Sequence, residues 1–208
     1  MKGLLYKDFK LIKRQLAIIG IFIFVMFINV ATNKNYYILP VLFMLISYVI
    51  TPTIIYHDVQ SNFSEFIFAT PCTKRDYVLS KYFPAFITAI LSLFVNVIFS
   101  SFSGMSLQDI ILIGTIGFSL PLLSVIFLIP AILKFGVEKG KFLMVFFYFI
   151  IFALINKARK IIELVNELSV RFQFLTIYHM GIILLLLTLL ISAVSIFISV
   201  KIIKNEDF

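Results

Sequence analysis

His57 and Asp58 stand side by side at the end of a long apolar run. An imidazole beside a carboxylate is a pairing that can pass a proton. The same adjacency arises where a membrane helix reaches water, and the string YHDVQ around the pair turns polar at once, so we read it as a membrane edge. A phosphate-cradling loop requires Gly-x-x-x-x-Gly-Lys-Ser/Thr. The nearest string, Gly136 to Phe142, has three residues between its glycines and Phe142 where a hydroxyl is needed. Neither HExxH nor a pair of adjacent glutamates occurs, so the helix-borne metal and intramembrane-protease arrangements lack their residues. The single Cys72 excludes an intramolecular disulfide and gives no metal spacing. The expectation is a non-catalytic chain with no metal and no cofactor of its own.

Ion-driven transport calls for an acid or base in mid-membrane, where such groups are costly and are kept for relays. Here every Asp and Glu falls in a loop or at the boundary of an apolar run, Asp109 coming closest to one. The energy for any transport must then come from outside the chain. Asn29, Asn96 and Asn156 are the most polar side chains within or at the ends of apolar runs. Hydrogen bonding between helices is their simpler role. Contact with cargo is the alternative, and Asn29, Ser92 and Asn96 are its candidate residues.

The elements that would carry these residues are membrane helices. The chain has 208 residues, is 62% hydrophobic with 25 Phe, and is only 13% charged, against roughly 25% charged in soluble domains. Its mean hydropathy is +1.10. A net charge of +8 could suggest nucleic acid, but the Lys and Arg residues flank apolar segments instead of forming one basic face, so no nucleic-acid partner is expected. We expect an all-α membrane protein with six transmembrane helices, over about 16–32, 36–56, 83–102, 107–133, 142–156 and 179–200. Each is near the ~20 residues that cross a bilayer, 107–133 being long and 142–156 short. Pro52 should loosen the end of the second helix and Pro121 should bend the fourth.

Residues 1–15, MKGLLYKDFKLIKRQ, place Leu5, Phe9 and Ile12 at helical spacing, continued by Leu16, with Lys2, Lys7, Lys10, Lys13 and Arg14 elsewhere. This predicts an amphipathic interfacial helix lying among the headgroups. It is long for the basic start of a signal peptide, and no small-x-small cleavage site follows. A second amphipathic segment, 157–178, is expected on the outer side. Of the 18 Lys and Arg, thirteen fall in segments that are cytosolic if both termini are inside, which is the orientation the positive-inside rule favours.

The longest polar interruption in the first half, 57–82, is then a cytosolic loop. Within it Asn62, Phe63, Ser64, Glu65, Phe66, Ile67 and Phe68 form a short half-apolar helix that Thr70 and Pro71 stop. Thr73, followed three residues on by Asp76, starts the next helix as a capping box with Asp in place of Glu. Lys74, Arg75 and Lys81 carry positive charge up to Phe83, where the chain enters the membrane. Exposed Phe side chains on such a helix fit a docking element.

The basic amphipathic start, the six spans, and a first cytosolic loop carrying an aspartate and then FATPCTKRDYVLSKYF together resemble the permease subunits of ABC-2 type transporters. More narrowly, the loop resembles that of small bacterial permeases, with a proline turn, a basic-acidic helix start and a VLSKY string. Phe68, Ala69, Thr70 and Pro71 stand where that family often has a TLP turn, and Ala69 and Cys72 depart from it. The resemblance implies one permease domain over 1–208 in the bacterial cytoplasmic membrane. In that family the loop is a coupling helix that inserts into a separate ATPase, so Asn62 to Phe68 with Lys74, Arg75 and Asp76 would contact it. ATP and Mg would be bound by that partner, present in two copies beside a second permease, identical or homologous. Phenol-soluble modulin and peptide-antibiotic exporters are the nearest fits, which would make the cargo hydrophobic or amphipathic molecules such as peptides or toxins. The alternative is an ATP-independent secondary transporter, or a membrane scaffold or sensor of a peptide-resistance complex.

Overall fold

The computed structural model describes residues 3–13, 20–21, 24, 28, 38–61, 63, 72–140, 142, 145 and 177–205. The principal elements are five helices: α1 (residues 3–13), α2 (Ile38–Gln60), α3 (Lys74–Phe102), α4 (Leu107–Phe135) and α5 (Ile177–Asn205). No strand occurs among the described residues. The fold is all-α, and α2 to α5 are long and apolar enough to cross a membrane. The expected spans at 16–32 and 142–156, and the segment 157–178, lie largely outside the described residues.

Local chemistry sets the helix ends. Thr73 is the N-cap of α3, and its hydroxyl accepts the Asp76 N–H at 3.1 Å. Asp76 returns the bond by accepting the Thr73 N–H at 3.4 Å, so the expected capping box is present. Nothing between Asp76 and Phe83 breaks a helix, and α3 therefore begins nine residues ahead of the span expected at 83. Ser106 caps α4 by accepting the Asp109 N–H at 3.3 Å. The turn before it passes through Gly104 at φ 70°, a conformation that costs glycine nothing. Gly136 at φ 83° ends α4, its N–H donating to Ile132 O at 2.9 Å.

α4 is the central helix. It packs on α2, α3 and α5, and each of these contacts is more extensive than those of α3 with α2 or with α5. Ile113, Leu122, Leu128 and Ile129 are consequently buried on α4. Close approach relies on small residues. A Cβ on Gly117 would come within 2.6 Å of Asn96 Nδ2, and one on Gly114 within 2.9 Å of Val97. Along α5, Thr188, Ser192, Ser195 and Ser199 recur every three or four residues and are all buried. Thr188 and Ser192 satisfy their hydroxyls on the carbonyls three residues back. A helix edged this way can approach a neighbour without stranding polar groups. Ser195 donates to Ile126 O of α4 at 2.5 Å, and the Tyr82 hydroxyl of α3 lies 2.6 Å from Ser195 and 2.9 Å from Ser199.

The outer faces are apolar. Only 22% of the hydrophobic window of α5 is buried against the chain. Ile182, Leu186, Leu190 and Phe197 are exposed along it, as lipid-facing residues should be.

Candidate functional site

Four charged side chains meet where α1, the end of α2 and the base of α3 converge. Lys81 Nζ lies 3.1 Å from both Asp8 carboxylate oxygens and 2.6 Å from Asp58 Oδ2. Lys7 pairs with Asp58, and its ammonium is 3.5 Å from Asp8 Oδ1. The Lys81, Asp8 and Asp58 side chains are at most 1% exposed, whereas Lys7 retains 27%. Two cations and two anions sum to zero, which allows this much charge to be buried. Tyr77, one turn before Lys81, is buried beside the cluster and hydrogen-bonds Asp58.

Each element delivers its residue by ordinary helix geometry. Leu4 and Asp8 lie four apart on one face of α1 and are both buried. Tyr77 and Lys81 repeat that spacing on α3. Burial holds the Asp8 carboxyl above its ordinary value of 3.8, the ammonium groups of Lys81 and Lys7 pulling the other way. In the docked helix, desolvation therefore outweighs the attraction of both lysines.

This geometry corrects three readings of the sequence. Asp58 is not left facing water at the end of α2: it is 1% exposed and ion-paired. Lys81 is not part of a flanking charge signal; it is enclosed among α1, α2 and α3. The buried face of α1 is centred on Leu4 and Asp8, leaving Tyr6 and Phe9 exposed, with Phe9 edge-on to Phe83 at 6.3 Å between ring centroids. An acid four residues after a leucine, in a helix otherwise basic, was the available sign that this face docks on protein.

Of the expected coupling residues, Phe63 is half-buried, packs against the main core, and carries the Lys7 ammonium 3.5 Å above its ring. Asn62, Ser64, Glu65, Phe66, Ile67 and Phe68 lie outside the described residues. Lys74 donates to Ile203 O at 2.9 Å, which ties the base of α3 to the end of α5, and Arg75 is exposed. Asp76 serves the cap. Among the substrate-path candidates, Asn29 lies outside the described residues. Asn96 and Ser92 are fully buried, and the Asn96 amide donates to Ser92 O at 2.7 Å and Ser92 Oγ at 3.1 Å. Asn96 Oδ1 has no hydrogen-bond partner among the described residues, nor do Ser100 Oγ and Ser119 Oγ. No group of His, Cys, Asp and Glu suited to a metal ion occurs among the described residues.

The family profile described as ABC-2 family transporter protein matches residues 3–204, almost the whole chain. The chain belongs to the ABC-2 transporter family. No curated protein and no solved structure matches it. As an ABC-2 permease it is a multi-pass transport subunit in a membrane, and the family implies an ABC ATPase as partner. The buried quartet of Lys7, Asp8, Asp58 and Lys81 thus sits at both roots of the loop that joins α2 and α3 in an ABC-2 permease.

Proposed function

We propose that this chain is the transmembrane half of an ATP-driven exporter, and that the buried charge quartet is the joint through which its ATPase moves it. The observation that carries this is the cross-linking of Asp58 and Lys81, on either side of the loop 61–73, to each other and to α1 through Asp8 and Lys7. A push on the loop then moves α1, α2 and α3 as one body, because separating the pairs would leave charges buried alone. In this reading six spans cross the bacterial cytoplasmic membrane with both termini in the cytosol, and 62–68 is the coupling helix. Two permeases, identical or homologous, work with two ATPase subunits that bind ATP and Mg. The cargo is hydrophobic or amphipathic, such as a peptide, a reading supported by the apolar stretches of the described spans between their charged ends.

The test replaces Phe63 and Phe66, two of the three phenylalanines in the loop. Phe66→Ala removes apolar contact worth about 1.5–3 kcal/mol if its ring is fully buried against the ATPase, an anchor of the size that dominates binding, and Phe63→Ala also removes a ring that packs on this chain's own core under Lys7. We expect the double variant to insert at wild-type levels while the ATPase no longer co-purifies and export stops. Full recovery of the ATPase with normal export would show that this loop is not the coupling element.

A further inference from the structure

Two grooves flank the charged end of α5. One, of about 730 Å³, lies between α4 and α5 and passes from Pro130, Phe197 and Ile198 to Lys134 and Lys201. The other, of about 540 Å³, lies between α3 and α5 and passes from Leu79, Ile196 and Val200 to Arg75 and Lys204. All four walls repeat one pattern: Pro130 with Lys134, Phe197 with Lys201, Val200 with Lys204, and Leu79 with Arg75, each an apolar residue one helical turn from a cation. α3 runs opposite to α5, and the bond from Lys74 to Ile203 O brings their charged ends together. The four cations are exposed, and among the described residues no acidic side chain lines either groove.

We propose that these grooves are binding sites for anionic phospholipid of the leaflet at this end of α5, with an acyl chain on the apolar walls and the phosphate between the paired cations. Basic pockets between transmembrane helices at a headgroup level suit such lipids. Arg75 can grip a phosphate with two parallel N–H bonds, and the lysines serve as point charges. A second copy of the chain is the poorer occupant, since contact through the same surface would set cations against cations. The inference is independent of ATP coupling and can be tested on the purified permease alone.

Retained lipid would be counted by native mass spectrometry, and binding titrated by thermal stabilisation with phosphatidylglycerol against phosphatidylcholine of the same chains. Wild type should prefer phosphatidylglycerol. Arg75→Gln with Lys204→Gln, and Lys134→Gln with Lys201→Gln, should each weaken that lipid on the order of tenfold. The quadruple variant should lose the preference while keeping its helical circular dichroism. Lys139→Gln, which removes an exposed cation that lines neither groove, should change nothing. Equal binding of both lipids by wild type, an equal loss in the Lys139 control, or cross-linking that seats a second copy against Phe197 would overturn the proposal. Should the quadruple variant lose its helicity, the two double variants decide by the same criteria.

Discussion

Lys81 is the residue on which the site depends. It is the sole bridge between Asp8 and Asp58 that carries no exposed surface, since Lys7, the other cation on Asp58, stays partly in water. Removing one partner of a buried ion cluster costs about 3–5 kcal/mol, because the charges left behind keep their desolvation penalty. Lys81→Ala should therefore lower the unfolding midpoint sharply in detergent. Lys81→Met with Asp58→Asn, which leaves Lys7 and Asp8 to neutralise each other, should recover most of the loss. A mild effect of Lys81→Ala would mean that water already reaches the cluster. None of this was legible at single positions. A lysine two residues before Phe83 reads as a flanking charge, and only α1 packing over it turns it into a buried ion.

At the scale of elements, the sequence was most readable where local chemistry decides. The Thr73 and Asp76 cap stands where it was expected, because it needs only its near neighbours. Helix faces were harder. The serine and threonine stripe of α5 is a regular signal at spacings of three and four, hidden in a run whose Leu and Ile content draws the eye to lipid. Helix packing across Gly117 gives the sharpest test of that architecture. A Cβ there would lie 2.6 Å from Asn96 Nδ2 and 3.2 Å from Ser92 Oγ, so Gly117→Ala should cost about 1–3 kcal/mol as overpacking. Asn96→Ala in the same chain should relieve it, a coupling that a double-mutant cycle on thermal stability would detect.

For the whole molecule, the all-α membrane class and the transporter family follow from composition and from the loop motif, and both stand. How the helices assemble did not follow from either. α4 is central because its Gly114 and Gly117 let α3 approach, Gly181 of α5 closes on its Thr115, and its hydrophobic face serves all its neighbours, and that choice emerges only when the faces meet. The assembled form places rigid, charge-locked packing at one end, around α1 and the roots of the central loop, and apolar helix faces toward lipid elsewhere. A permease built so would receive force at the locked end and transmit it through α2 and α3. The most direct measurement is export per ATP hydrolysed, in vesicles carrying the permease and its ATPase, for wild type and the Lys81→Met, Asp58→Asn variant. With the joint loosened but the loop intact, the ATPase should still bind and turn over while export per ATP falls severalfold. Unchanged export per ATP in a variant that has lost the buried Lys81 ion pairs would contradict the claim that this quartet couples the two.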